Sequence, residues 1–314
     1  MIFKDLFAGI LELVRNNFEY LKLMNVLRSV KLLKLHRGYY IQAKKKFSVK
    51  ENVESNFNKE QLINDGCFIR KSILNMDLVS SLLSNLESSN ARYEYSGQQT
   101  VELINDNANP VLPDYKLINI SSEAPGAHEL LKNIYLPLVA PIELANGCFM
   151  RPVSIAIYRT YGRSLNDLES QGDYGSFKLH FDNSGILNTC KVMCYLSDVT
   201  EYENGPLEII KGSHKLTKIF LPALGGSRIP ETLVRNFEHF NWYGKKGDAL
   251  SFNVKTVHRG GKTTIGTREV VVVELIPSFL EYGVYIEKFN LIGGEHIRGQ
   301  SYTSLRENPY QNSN

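Results

Sequence analysis

A histidine and an aspartate stand two residues apart in the run Lys178-Leu179-His180-Phe181-Asp182. The run closes an alternating apolar and polar stretch, Ser176 to Asp182, which predicts a β-strand. Alternate residues of a strand share a face, so His180 and Asp182 can direct an imidazole nitrogen and a carboxylate oxygen at one point. Those are two of the three donors of a 2-His-1-carboxylate triad, which leaves positions on the metal open for chemistry. His-x-Asp alone is short enough to arise by chance, and a strand-end pair bonded to backbone would carry the same pattern. The downstream sequence has to supply the third donor.

The other histidines are His36, His128, His214, His239, His258 and His296. His258 is the best placed, because it follows the strand-like run Gly247 to Asn253 and precedes Arg259-Gly260-Gly261, where the backbone can reverse. His214, in Gly212-Ser213-His214, is the competing third ligand. Ten residues beyond His258, at the head of the run Val270-Val271-Val272-Val273, stands Arg268. A guanidinium directed into an apolar interior is costly unless it meets an anion, and its planar fork matches a carboxylate better than lysine would. The alternative is an edge-strand residue facing water.

Strands must hold these groups. From about Asn146 the pattern predicts them at Met150–Tyr161, Ser176–Asp182, Cys190–Ser197, Pro206–Lys211, Asp248–Phe252 and Glu269–Ile276, separated by turns such as Glu203-Asn204-Gly205-Pro206. The unalternating valines of 270–273 predict a strand covered on both faces. Many short strands with turn punctuation describe a sandwich or barrel, most simply a double-sheet jelly roll. Upstream, 58–70 reads as helix, glycine stop and short strand, Met76–Leu86 and His128–Leu138 as helices, and 91–125 as loop with short strands. An insertion at 215–247 carries Trp242, expected beside the site mouth. Residues 5–35 have leucines at helical spacing with lysines and arginines between them.

Composition is that of an ordinary globular protein of 314 residues, with net charge +3. Residues 1–50 hold eleven Lys/Arg against three Asp/Glu, a local +8. This basic amphipathic head either contacts an anionic membrane surface through residues 1–46 or packs on the core. Nothing calls for a nucleic-acid partner. Cys190 and Cys194, about 13 Å apart on one strand face, cannot reach each other, so the four cysteines read as buried thiols of a cytosolic protein. The expected organisation is a helical segment at 1–55, a domain at 56–280 with its jelly roll at about 146–280, and an extension at 281–314. No targeting signal or membrane-spanning run stands out.

Three pieces taken together resemble the phytanoyl-CoA dioxygenase-like family of iron(II)/2-oxoglutarate oxygenases: His180-Phe181-Asp182, Asn204-Gly205-Pro206 through Gly212-Ser213-His214, and His258-Arg259-Gly260-Gly261 with Arg268. The resemblance spans roughly Met150 to Ser278. Lys211 stands where the family usually has proline. The resemblance implies a mostly β fold with flanking helices (α+β) around a double-stranded β-helix, the jelly-roll or cupin-like core. It implies His180, Asp182 and His258 as ligands of Fe(2+), and Arg268 as the partner of the distal carboxylate of 2-oxoglutarate. With O2 as cosubstrate, the implied activity hydroxylates a small-molecule or lipid-linked substrate and releases succinate and CO2. Halogenating relatives lack the carboxylate ligand, so Asp182 favours hydroxylation. The inner carboxylate of the cosubstrate has three candidate partners, Tyr158, Arg159 and Lys178. A jelly-roll binding module without catalysis, recruited to membranes by its basic head, is the competing class. Zinc hydrolysis on the triad would leave Arg268 without a task.

Overall fold

A computed structural model describes residues 53–87, 92–95, 98–100, 115–120, 123–163, 177–182, 188–216 and 228–278. The expected helices of 5–35, with their membrane or core contact, and the extension at 281–314 lie outside these residues. No described helix is long and apolar enough to cross a membrane.

In chain order the elements are α1 (Val53–Asp65), β1 (Cys67–Arg70), α2 (Met76–Ser84), β2 (Arg92–Tyr95), β3 (Gln98–Thr100), β4 (Tyr115–Ile120), α3 (Ala127–Ile134), α4 (Ala140–Asn146), β5 (Phe149–Tyr161), β6 (Cys190–Tyr195) and β7 (Leu207–Ile210). There follow α5 (Glu231–Val234), β8 (His239–Trp242), β9 (Ala249–Asn253), β10 (His258–Arg259) and β11 (Thr267–Ser278). An eight-stranded sheet runs β1-β9-β6-β11-β5-β4-β2-β3, and a three-stranded sheet runs β10-β7-β8. Every strand pairing within the two sheets is antiparallel. The fold is the expected double-sheet jelly roll with flanking helices.

Period-two alternation sorts the side chains into layers. On β6, Cys190, Val192 and Cys194 join Val271, Val273 and Leu275 of β11 in a cluster beneath Leu78 and Leu82 of α2, Leu130 and Ile134 of α3, and Ile142 of α4. The opposite face packs Tyr195 with Val270, Val272, Leu250 and Phe252 against Leu207, Ile209 and Trp242 of the small sheet. Val270–Val273 are thus buried on both sides, each valine contributing on the order of 1.5–3 kcal/mol through burial. The cysteines are free and buried, and burial pushes the Cys194 thiol up to about 12.

Two expectations need correction. The stretch ending at Asp182 alternates as read, with Leu179 and Phe181 buried and His180 and Asp182 on the other side. In the described part, 177–182, it is no ladder strand, and His180 alone makes bridges, to His258 and Arg228. The strand it faces, β10, is only two residues long, too short to template a longer ladder. Trp242 does not flank a mouth. It lies on β8, fully buried between the sheets and stacked on Tyr195 with ring centroids 3.9 Å apart. Part of the expected insertion is therefore sheet.

Candidate metal centre

His180 and His258, far apart in sequence, are joined by reciprocal backbone hydrogen bonds: His180 N–H donates to His258 O at 2.9 Å and His258 N–H to His180 O at 2.7 Å. The bridge puts the two rings side by side, centroids 4.4 Å apart. Two residues on, Asp182 N–H donates to Val254 O at 2.8 Å, which keeps the carboxylate on the same side. The potential donor atoms of His180, Asp182 and His258 all lie within 4.8 Å of one another. Asp182 Oδ1 is 3.9 Å from His180 Nε2, and Oδ2 is 3.6 Å from His258 Nε2.

The protonation states suit a metal. His180 Nδ1 lies 2.7 Å from Lys178 O, and His258 Nδ1 lies 2.8 Å from Thr256 O. A carbonyl only accepts, so each Nδ1 carries the proton and each Nε2 keeps a free lone pair toward Asp182, the tautomer that outer hydrogen bonds impose on metal-binding histidines. Burial, assisted by His258, pushes His180 down to about 3, and burial lowers His258 as well. Burial alone would raise Asp182, but Lys191 and the two imidazoles overcome it and hold the carboxyl well below its usual range. Two neutral imidazoles and one carboxylate is a borderline donor set suited to ferrous iron.

His214 is directed elsewhere. It is buried, with Nε2 3.1 Å from Ile63 O of α1, and does not share the cluster. His239 pairs with Glu208 across β7 and β8, and His128 sits on α3. His36 and His296 lie outside the described residues.

Arg268, at the head of β11, turns into the sheet interior beside Tyr195. Its guanidinium donates to Gly205 O, to Gly261 O at 3.3 Å and to Thr160 Oγ1 at 3.3 Å. Among the described residues no carboxylate pairs with it, and burial lowers its pKa. The carbonyls it meets come from two glycines in close approach. A Cβ on Gly261 would stand 2.3 Å from Pro206 O, and Gly205 adopts φ +71°. The turn around Gly205 therefore shapes the arginine's seat.

Of the three candidates for the inner carboxylate, Arg159 is paired with Glu269 at 2.6 Å and Lys178 is exposed. Tyr158 packs against the inter-sheet cluster. Sequence reading missed two lysines. Lys191 on β6 donates to Asp182 Oδ2 at 2.8 Å, and Lys255 donates to Asp182 O at 3.1 Å. The signal for Lys191 was there: a charge between Cys190 and Val192 in a strand buried on both faces.

A jelly roll that brings two histidines and an aspartate within reach of one metal ion, with an arginine heading its last described strand, is a donor set and an anion partner held in one fold. Residues 171–270 match the family model described as phytanoyl-CoA dioxygenase (PhyH), and the chain resembles that family. No curated protein matches the chain. Among solved structures, EctD from S. alaskensis with 2-oxoglutarate and 5-hydroxyectoine has a TM-score of 0.50 at 14% identity, covering 73% of this chain and 79% of that one. HygX from Streptomyces hygroscopicus with nickel and 2-oxoglutarate bound has 0.44 at 19% identity, over 74% and 89%. The epimerase SnoN with Fe3+, alpha ketoglutarate and nogalamycin RO has 0.49 at 13%, over 71% and 83%.

Proposed function

We propose that this protein is an iron(II)- and 2-oxoglutarate-dependent hydroxylase of a small-molecule substrate, and that residues 56–280 form its oxygenase domain. His180, Asp182 and His258 hold the metal, and Arg268 holds the distal carboxylate of 2-oxoglutarate. The observation that carries this reading is the convergence of the three donors in a fold whose Arg268 guanidinium pairs with no carboxylate among the described residues.

Bound there, iron with 2-oxoglutarate and O2 supplies an oxidant for C–H bonds and yields succinate and CO2. The chain's own residues do the rest. The carbonyls of Lys178 and Thr256 keep the Nδ1 protons in place and so hold both Nε2 lone pairs inward. Phe252 lies edge-on to His258, centroids 5.0 Å apart, and screens the ligand from water. Gly205 and Gly261 set the pitch of the Arg268 fork, which matches one planar carboxylate, the distal one of 2-oxoglutarate, by charge and shape. Hydroxylation rather than halogenation is supported by the carboxylate at 182.

The test is succinate release from 2-oxoglutarate by iron-loaded protein under air, without added substrate. Wild type is expected to turn over slowly, and His180→Ala to lose both metal and turnover. A wild type that binds iron yet releases no succinate would overturn the reading and favour a binding module. A screen scored by stimulated succinate release, with label from 18O2 entering the product, then tests hydroxylation itself.

A further inference from the structure

Lys191 has no task in the chemistry assigned so far. It lies on β6 among inward-facing residues that are otherwise Met193 and Tyr195. The register sets it across from Phe252 on β9 and Glu274 on β11. Although Glu274 is its neighbour in the ladder, the ion pair it makes is with Asp182, Nζ to Oδ2 at 2.8 Å. Lysine and aspartate side chains are 21% and 26% accessible, so the pair is more shielded than a surface pair. Burial acts to lower Lys191, but Asp182 and Glu274 outweigh it and the ammonium stays charged.

The backbone of Asp182 is already fixed on both sides. Its N–H donates to Val254 O at 2.8 Å, and its carbonyl accepts from the buried Lys255 at 3.1 Å. What remains free is rotation of the carboxylate, and Lys191 is the cation that fixes it. We propose that Lys191 latches one oxygen of Asp182, so that the carboxylate offers a single oxygen to the metal. The inference rests on the iron and 2-oxoglutarate reading above.

The consequence is a matter of coordination positions. Two imidazoles and one oxygen leave three of six open, enough for both donor atoms of 2-oxoglutarate and for O2. A carboxylate free to swing and bind through both oxygens would close one of them, and the two cosubstrates would then compete. Lys191 is thus a positioning residue, acting through Asp182. Its charge also repels a divalent ion nearby, so its removal should not weaken metal binding on electrostatic grounds.

The experiment uses the full chain loaded anaerobically with Fe(II), in wild type, Lys191→Met and Lys191→Arg. Fe(II) is titrated first, then 2-oxoglutarate, followed by the metal-to-ligand charge-transfer absorbance that appears only when 2-oxoglutarate chelates iron through both donors. The expected result is a Met variant that binds Fe(II) no more weakly than wild type, loses the charge-transfer band, and binds 2-oxoglutarate about tenfold or more weakly. Lys191→Arg should restore both the band and the affinity. A Met variant with the wild-type band and wild-type 2-oxoglutarate affinity overturns the latch. So does one that loses iron and 2-oxoglutarate together without rescue by arginine, which would make Lys191 a structural brace. No band in wild type would sink the metal-site reading and the latch with it.

Discussion

Replacing Arg268 with methionine keeps the length and apolar stem of the side chain while deleting a buried charge. In the cosubstrate-free protein that charge makes three hydrogen bonds, to Gly205 O, Gly261 O and Thr160 Oγ1, and meets no carboxylate among the described residues. Hydrogen bonds to a charged group contribute roughly 1.5–3 kcal/mol each, but burying the guanidinium costs several kcal/mol. The two terms oppose each other, so Arg268→Met should change the stability of the cosubstrate-free protein by no more than about 2 kcal/mol, or roughly 4–8 °C in Tm. With 2-oxoglutarate bound, the balance changes. Removing one partner of a buried, hydrogen-bonded charge pair costs about 2–5 kcal/mol, which at about 1.4 kcal/mol per decade weakens binding roughly 30-fold to a few thousandfold. Calorimetric titration of 2-oxoglutarate into nickel-loaded protein measures this without turnover, and a melting curve on the same samples measures the stability term. A Met variant that binds 2-oxoglutarate about as tightly as wild type refutes the assignment, because a guanidinium kept for its structural bonds alone would leave affinity untouched.

The glycine seat of that arginine makes a second prediction: Gly261→Ala drives a Cβ to 2.3 Å from Pro206 O, backbone that cannot yield cheaply. Denaturant melts should show a loss of at least about 1–3 kcal/mol, and 2-oxoglutarate should bind more weakly as the carbonyls around Arg268 shift. Wild-type stability would contradict the packing. A third prediction concerns pH in the metal-free protein. His180 titrates near 6.5 when unfolded and, pushed down by burial, at about 3 when folded, so its neutral ring favours the fold fully above 6.5. That contribution is lost as pH falls from about 6.5 toward 3, because the unfolded chain takes up the proton first. The melting temperature of wild type should therefore fall relative to His180→Gln across that window, and a difference independent of pH would count against a buried neutral imidazole.

Much of this protein is legible in its sequence. Strand-like runs bounded by turn residues located β5, β6, β7, β9 and β11 to within a few residues, because a half-buried strand alternates and a strand covered on both faces, as at Val270–Val273, reads as a continuous apolar run. The pairing of His180 with Asp182 was readable for the same reason, since residues two apart on extended backbone share a side. Arg268 stood out as a charge heading an apolar run. Trp242 was misplaced because a large aromatic beside a long insertion reads equally well as rim or core, and only its stacking on Tyr195 places it between the sheets. The strand expected at 176–182 shortened because alternation records which faces are buried and not whether a partner strand is long enough to pair with.

What sequence determined by itself is chemistry and local geometry: which residue types could bind a metal or an anion, and which of them share a face of one strand. What tertiary structure decided is partnership. The backbone bridge between His180 and His258, the seat of Arg268 on two glycine carbonyls, and the lysine on Asp182 all join residues from separate elements. Periodicity is a property of a single strand, whereas sheet register and the packing of one sheet on another depend on contacts between distant segments, which no local pattern encodes.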